Sequence, residues 1–227
     1  MKVADRLTIE IGETRTTALA YRANEDRRLH ATLVLAHGAG AGQASRFMVS
    51  FAEELASRGL DVLTFNFLYT EQGRRLPDRA EALEACYRAA VESARRHAPL
   101  VGNALFVGGK SLGGRIASHL AASGSTEIRG LVLLGYPLHP PGKPHQLRVA
   151  HLAKIRVPML FVQGSRDPFG TPDELRPHVE GLAAPVTVHG VDHGDHSLAP
   201  PKSGPLSVDQ VYSQLQDTMT TWIADLL

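Results

Sequence analysis

From residue 107 to residue 114 the chain reads Val-Gly-Gly-Lys-Ser-Leu-Gly-Gly, which places Ser111 between glycines. Residues 103–107 are a short apolar run that predicts a buried strand, and residues 112–120 carry leucine and isoleucine at helical spacing. A strand that turns at once into a helix strains the serine backbone, and closely packed neighbouring chain leaves no room for side chains at the glycines. The stretch is therefore typical of a nucleophile elbow.

Outward from this stretch, apolar runs alternate with helical patterns along most of the chain. Alternation of this kind predicts an α/β fold with a mostly parallel central sheet and helices on both faces. Residues 7–11 and 17–21 flank a turn and predict an antiparallel hairpin at a sheet edge. The other predicted strands are 32–36, 61–67, 103–107, 130–134, 157–162 and 186–188, and the predicted helices are 47–58, 78–96, 112–122, 172–181 and 208–226.

Local patterns indicate where several helices begin and what they bury. Capping-box spacing, in which a side chain at the helix start and one three residues later cap each other's backbone, occurs three times. In the last helix, Trp222 falls on the apolar side and is interpreted as a core residue. The three capping pairs are Asp78 with Glu81, Thr171 with Glu174 and Ser207 with Gln210.

Composition limits the function classes. At 227 residues with 43% hydrophobic residues, we expect one domain spanning residues 1–227. The formal charge of +1 gives no field that would recruit nucleic acid or an anionic membrane. The single cysteine, Cys86, excludes an intrachain disulfide and is interpreted as buried and structural. The N-terminus lacks a signal-peptide pattern and no stretch reaches membrane-span length, so we expect a soluble cytoplasmic protein; the oligomeric state is not readable.

An activated serine needs a base, an acid that orients the base, and donors for an oxyanion. Asp167 directly follows an apolar strand, where such an acid is expected, although an ordinary turn aspartate before a proline is the alternative. Three histidines after the last predicted strand, His189, His193 and His196, are candidates for the base. The same cluster of histidines and aspartates is open to interpretation as a metal site, although its spacing fixes no geometry.

Two chain segments could supply the oxyanion donors. A glycine-rich loop follows the predicted strand at residues 32–36, with glycines at positions 38, 40 and 42. The backbone N–H of Leu112 begins the helix behind Ser111 and is the second candidate donor.

With these pieces together, the chain from about Thr32 onward resembles the α/β-hydrolase superfamily, specifically small serine hydrolases akin to dienelactone hydrolase and carboxylesterases. The resemblance implies a single fold without a sizeable cap domain, no cofactor, no metal, and a small ester as substrate. It implies that Ser111 is the nucleophile, Asp167 the orienting acid and His196 the base, with Ala39 and Leu112 as oxyanion donors. The residues that carry it are His37-Gly38-Ala39-Gly40, Gly109-Lys110-Ser111-Leu112-Gly113-Gly114-Arg115, Gly164-Ser165-Arg166-Asp167 and Gly194-Asp195-His196-Ser197-Leu198.

The chain departs from the family pattern in two places. The doubled Asp-His at residues 192–193 and 195–196 leaves His193 as an alternative base, and the Asp-His-Ser-Leu sequence favours His196. Where many relatives insert a helical lid, residues 136–156 form only a short segment rich in proline and histidine. An open site of this kind suits small or flexible substrates and argues against lipase activity.

Three other hypotheses compete with this interpretation. A phosphate-binding loop ending at Ser111 needs a glycine where Ala104 stands, and a dinucleotide loop needs one where Gln43 stands. A catalytically silent interaction module on the same fold is the stronger rival, but every proposed role is occupied by a chemically competent residue. The sequence therefore predicts acyl transfer from an ester or thioester to water.

The sequence also suggests the hypothesis of a basic rim at the mouth of the site. Five basic residues in the proline- and histidine-rich segment follow the strand at residues 130–134 and would favour carboxylate-bearing substrates. These residues are His139, Lys143, His145, Arg148 and His151.

Overall fold

The computed structural model describes residues 4–124 and 127–227 of the chain. The prediction about the N-terminus rests partly on residues 1–3, which lie outside the described residues. Within the described residues, no helix is long and apolar enough to cross a membrane. The elements are β1 (Asp5–Ile11), β2 (Thr14–Tyr21), β3 (Ala31–Ala36), α1 (Arg46–Ser57), β4 (Asp61–Phe65), α2 (Leu68–Glu71), α3 (Ala80–Arg96), β5 (Ala104–Lys110), α4 (Leu112–Ala122), β6 (Gly130–Leu134), β7 (Met159–Gly164), α5 (Pro172–Val179), β8 (Val186–Val191) and α6 (Val208–Ala224).

All eight strands join one sheet in the order β1-β2-β4-β3-β5-β6-β7-β8. The β1–β2 hairpin and its junction with β4 are antiparallel, and every other neighbouring pair is parallel. This confirms the predicted fold class, including the hairpin at the sheet edge. The carboxyl end of β5 lies in the middle of the sheet, between β3 and β6, so the elbow that follows it can be reached by loops from both sides.

Helices cover both faces of the sheet, as the continuous apolar character of the parallel strands requires. On one face α1 and α6 pack through residues such as Phe51 and Leu215. On the other face α3, α4 and α5 pack through residues such as Tyr87, Ile116 and Leu175. The sheet therefore lies between two apolar layers, which leaves the two ends of its strands for polar groups.

The two interpreted core positions are confirmed. Cys86 on α3 is buried and unpaired, and burial raises the pKa of its thiol to about 12. Trp222 on α6 is partly buried and packs edge-on against Phe106, with ring centroids 6.3 Å apart. Both side chains stabilise the fold and lie away from the elbow.

Two of the three predicted capping boxes are confirmed, at Thr171 before α5 and at Ser207 before α6. The third was wrong. The helix was predicted over residues 78–96, but α3 begins at Ala80, and its N-cap residue Arg79 makes no side-chain capping bond. The carboxylate of Asp78 instead forms an ion pair with Arg74 at 2.6 Å, which is why it is not available as a cap.

The segment between β6 and β7, residues 135–158, contains a single 3₁₀ turn, Leu152–Lys154, and no cap domain among the described residues. Its first residues, including Tyr136 and Leu138, are buried against the core, whereas residues 141–147 are exposed. The predicted surface excursion is thus partly correct, because its beginning is anchored inside the protein.

Candidate active site

The elbow has the strained geometry that its glycines predict. Ser111 stands between β5 and α4 with φ 50° and ψ −113°, in a region that non-glycine residues rarely adopt. A Cβ at Gly109 would lie 2.6 Å from the carbonyl oxygen of Ala36, and one at Gly113 would lie 2.4 Å from the same atom. Only glycine fits at these two positions, because β3 passes directly beside the turn. The surrounding structure therefore holds the serine in a conformation that it would not adopt alone.

A chain of hydrogen bonds runs from Ser111 to two residues on distant loops. The Oγ of Ser111 lies 2.8 Å from Nε2 of His196, and Nδ1 of His196 lies 2.8 Å and 3.0 Å from the two carboxylate oxygens of Asp167. A carboxylate can only accept, so Nδ1 carries the ring proton and Nε2 is left to accept from the serine hydroxyl. This is the arrangement in which an imidazole can take a proton from the serine.

The Asp167 side chain is also held by hydrogen bonds other than those to His196. Its side chain is fully buried and accepts hydrogen bonds from Nε2 of Gln163 at 2.9 Å and from the backbone N–H of Phe169 at 2.8 Å. The Phe169 ring also stacks on the imidazole of His196 at 4.1 Å between centroids. The sequence did not indicate Gln163 or Phe169, whose roles depend on contacts that only the folded loops create.

The alternative base lies elsewhere. The His193 side chain is exposed, and its backbone N–H donates to Oγ of Ser165 at 2.8 Å. His189 lies on the edge strand β8. Both ring nitrogens of His196 are occupied by Ser111 and Asp167, so the geometry of this histidine is that of a proton carrier rather than of a metal ligand.

The glycine-rich loop after β3 passes close to the serine. A Cβ at Gly38 would lie 3.6 Å from that of Ser111. Among the described residues, neither the Ala39 N–H nor the Leu112 N–H donates a hydrogen bond to another group. The loop after β3 and the start of α4 therefore each leave one backbone amide unpaired near Ser111.

His37 anchors this loop from behind, a role that the sequence did not indicate. Its Nδ1–H donates to the Gly38 carbonyl at 2.8 Å, and its Nε2 accepts from the Phe67 N–H at 3.1 Å. Because Nε2 accepts a hydrogen bond from a backbone N–H, the ring is in its neutral form, and burial lowers the pKa of the His37 imidazole in the same sense. The hydroxyl of Tyr69 donates to the Ala39 carbonyl at 3.0 Å and fixes the peptide from the other side.

Lys110, directly before Ser111, makes a contact that the sequence did not indicate. Its ammonium donates to the backbone carbonyl of His196, and a Cβ at Gly135 would lie 3.0 Å from that ammonium. Burial lowers the pKa of the Lys110 ammonium to about 8, and the charges of Asp167 and Asp195 oppose that shift. The lysine thus ties the histidine loop to the elbow.

A cavity of about 460 Å³ opens beside the serine. Its walls are mostly apolar and come largely from the loops that carry the site, with Phe47 and Met48 of α1 and Tyr212 of α6. None of the five basic residues proposed as a rim lines it, and His139 is itself buried beneath Phe169, so the basic rim is wrong for this cavity. The lining residues are Gly38, Ala39, Gly40, Ala41, Ser45, Phe47, Met48, Lys110, Ser111, Phe169, His196, Ser197 and Tyr212.

Comparison with known proteins agrees with this architecture. A family model described as an alpha/beta hydrolase domain matches residues 29–224. A dienelactone hydrolase from Anabaena variabilis is 19% identical with a TM-score of 0.75, covering 96% of this chain and 97% of that one. A Xanthomonas campestris protein described as an α/β serine hydrolase without a lid is 17% identical with a TM-score of 0.74, covering 98% and 96%. Est1E from Butyrivibrio proteoclasticus is 14% identical with a TM-score of 0.74, covering 98% and 100%. At these identities the structural likeness shows the fold.

Proposed function

The chain belongs to the alpha/beta hydrolase domain family, and we propose that it is a serine hydrolase that cleaves small carboxylic esters or thioesters through an acyl-enzyme. The observation that carries this proposal is the hydrogen-bond chain from Ser111 through His196 to Asp167, with successive distances of 2.8 Å and 2.8 Å. Two unpaired backbone amides beside the serine support it, because they match the charge that develops on an ester oxygen during attack.

In the first half-reaction the Ser111 oxygen attacks the ester carbonyl carbon while its proton passes to Nε2 of His196. The carbonyl oxygen becomes an oxyanion that the amides of Ala39 and Leu112 stabilise. Asp167 accepts the Nδ1–H and stabilises the imidazolium without taking its proton. Collapse of the tetrahedral species breaks the bond to the alcohol or thiol, which leaves with the proton from Nε2.

In the second half-reaction water replaces the leaving group. His196 takes a proton from the water, whose oxygen attacks the acyl carbon and forms a second oxyanion at the same two amides. When that species collapses, the bond to the Ser111 oxygen breaks and His196 returns the proton to the serine. The products are a carboxylic acid and the regenerated enzyme.

The surroundings of the serine favour small or flexible substrates. The cavity of about 460 Å³ is apolar, and no cap covers it among the described residues. A small or elongated ester could bind with one part in the cavity and the other at the surface.

The test is hydrolysis of p-nitrophenyl acetate and butyrate by the wild type and by Ser111→Ala, His196→Ala and His193→Ala. Removing the nucleophile or the base should lower kcat/KM by about 1000-fold or more, since these groups act as a unit. The exposed His193 is the matched control, and its loss should leave turnover within about twofold. Equal turnover by wild type and Ser111→Ala would refute the proposal, and a loss in His193→Ala instead of His196→Ala would move the base to residue 193.

A further inference from the structure

We propose that Glu71 is a positioning residue that acts through Asn66 and Thr17 to hold the glycine-rich loop after β3, and with it the backbone N–H of Ala39. In the proposed function, on which this inference rests, that N–H is an oxyanion donor. Glu71 is the last residue of α2 and does not line the cavity beside Ser111, so it acts on the reaction only through its neighbours.

The glycine-rich loop is held by the segment that follows β4, residues 66–71. Two contacts from this segment, one to the His37 ring and one to the Ala39 carbonyl, fix the first half of the loop. The second half is fixed at Gln43, whose backbone N–H donates to Oδ1 of Asn66 at 2.9 Å. Gln43 is buried, so little water competes for this bond.

Two arms of hydrogen bonds lead from Gln43 to a single carboxylate oxygen of Glu71. In the first arm the Gln43 backbone N–H donates to Asn66, and Nδ2 of Asn66 donates to Oε2 of Glu71 at 2.8 Å. In the second arm Nε2 of Gln43 donates to Oγ1 of Thr17 at 2.7 Å. That hydroxyl in turn donates to Oε2 of Glu71 at 2.9 Å. The two arms therefore close a ring that joins β2, the end of β4 and the loop.

The carboxylate sets the orientation of both bridging side chains. A carboxylate oxygen only accepts, so the Asn66 amide turns its NH2 toward Glu71 and leaves its own oxygen for the Gln43 N–H. Thr17 has one hydroxyl proton, which goes to Glu71, so its oxygen is left to accept from the Gln43 side chain. Without Glu71, nothing in this ring determines which atoms the two bridging groups present to the loop.

The Glu71 carboxyl is held in its ionised form. Burial alone would raise its pKa, but hydrogen bonds from Asn66 and Thr17 outweigh burial, and the pKa lies below its usual value. Hydrogen bonds to a charged acceptor are stronger than those between neutral groups. Because both arms donate toward the charge, each bond polarises the next in the same sense. The ring is therefore a firm support for the loop.

The first test compares ester turnover by the wild type, Glu71→Leu and Glu71→Gln, expressed per serine labelled by a fluorophosphonate probe at its end point. Glu71→Leu removes the acceptor, so kcat should fall about 10-fold or more while KM changes by less than about threefold. The reason is that a misplaced oxyanion donor weakens the transition state more than substrate binding. Glu71→Gln keeps one acceptor oxygen and should retain most of the wild-type kcat. A wild-type kcat in Glu71→Leu, or a kcat of Glu71→Gln no higher than that of Glu71→Leu, would overturn the proposal.

Glu84→Leu is the matched control. Glu84 is another half-buried glutamate, and its Oε1 lies 3.3 Å from Nδ1 of His119. Its loss should lower the urea midpoint of unfolding without changing kcat per labelled serine. An equal fall of kcat in Glu84→Leu and Glu71→Leu would mean a general loosening of the fold and would refute the positioning role.

A double variant tests whether Glu71 acts through Asn66. The fall of kcat in Glu71→Leu combined with Asn66→Ala should be clearly smaller than the product of the two single falls, because both changes break the same ring. A fall equal to that product would mean that the two residues act independently, against the proposal.

Hydrogen exchange separates this proposal from the proposed function, because it needs no substrate. Relative to the amides of β5, the Gln43 backbone N–H should exchange about 10-fold or more faster in Glu71→Leu than in the wild type. In Glu84→Leu it should exchange at the wild-type rate. If exchange responds in this way and no ester is hydrolysed, the hold of Glu71 on the loop stands and the hydrolase proposal fails. If the Gln43 N–H exchanges equally in all three proteins, the positioning role is refuted even in an active hydrolase.

Discussion

The parallel strands begin at one side of the sheet, here called the amino edge, and end at the other, here called the carboxyl edge. The two carry cavities of similar size but opposite chemistry. The cavity at the amino ends of the strands has a volume of about 490 Å³, and the one at the carboxyl ends has about 460 Å³. At the amino edge the buried carboxylate of Asp61 is fully paired, although Nε of Arg28 is buried without a partner, whereas at the carboxyl edge the backbone amides of Ala39 and Leu112 are unpaired beside Ser111. The difference teaches that the arrangement of the polar groups, rather than cavity size, distinguishes the two edges.

At the amino edge, Asp61 is the centre of a hydrogen-bond network that pairs both of its carboxylate oxygens. Its side chain is 1% exposed and accepts from the Ala23 N–H at 2.8 Å, from the Arg28 guanidinium at 3.2 Å and from the Asn103 amide at 2.8 Å. The Asn103 amide also donates to Oγ1 of Thr32 at 2.9 Å. Such a network stabilises the fold and leaves little for a ligand.

At the carboxyl edge several polar groups have no hydrogen-bond partner among the described residues. Ser111 stands at positive φ, which costs about 1–3 kcal/mol. The amides of Ala39 and Leu112 are unpaired, and Oγ of Ser45 is buried without a partner in the part of the chain that the structure describes. Under the proposed function, these are the groups that would receive an oxyanion and a substrate.

The largest expected effect comes from exchanging one buried carboxylate at the carboxyl edge. Asp167→Asn should lower kcat by about 10⁴-fold, because the amide no longer holds His196 in the tautomer that accepts the serine proton. The free energy of unfolding should change far less. Ester turnover and urea unfolding measured on the same preparation would check this, and turnover within tenfold of wild type would break the comparison.

The matched exchange at the other edge should have the reverse effect. Asp61→Asn weakens the ion pair with Arg28 and turns an NH2 toward groups that donate, so we expect a loss of about 3 kcal/mol in the free energy of unfolding. Turnover per folded molecule should stay at the wild-type level. A large fall in kcat with unchanged stability would show that the two edges are not separate in function.

The free energy of unfolding should depend on pH through Lys110, the buried cation of the carboxyl edge. Arg28, the cation of the amino edge, is instead paired with Asp61. The Lys110 pKa of about 8 in the folded protein lies below its usual 10.5, so between these values the unfolded chain binds more protons. Stability of the wild type should therefore rise with pH across this window, relative to Lys110→Met, by about 1 kcal/mol or more. Urea midpoints at pH 7.5, 9 and 10 would measure it; parallel curves for the two proteins would contradict the assignment.

The smallest expected effect compares one hydroxyl from each edge. Ser45→Ala removes a buried hydroxyl that has no partner and makes no capping bond, so stability should hold or rise by up to about 1 kcal/mol. Thr32→Val removes the acceptor of the Asn103 amide and should cost about 1 kcal/mol. Urea unfolding of both variants tests the pair, and losses of the same size would mean that Ser45 is satisfied in solution.

The strands and helices could be predicted from the sequence because they are encoded by local patterns. The strand before Ser111 and the helix after it follow from apolar periodicity, and the capping pairs at Thr171 and Ser207 follow from spacing alone. Asp167 and His196 were named from their places after strands and from family resemblance, and the structure brings both to Ser111.

What escaped prediction depends on contacts between distant segments. Gln163, His37 and Lys110 support the site through hydrogen bonds to residues that become neighbours only in the folded sheet. The prediction of a basic rim was wrong because none of its five residues lines the cavity: His139 is buried, and Lys143 and His145 lie in the exposed part of the segment.

The most direct test of the central claim is covalent labelling with a fluorophosphonate probe, followed by mass spectrometry of the proteolytic peptides. The account predicts one adduct per molecule, located on Ser111 and absent from a folded Ser111→Ala variant. The buried Cys86 and the exposed His193 should carry no label. A folded wild-type protein that takes up no probe, or that carries the adduct on another residue, would contradict the assignment of Ser111 as the nucleophile.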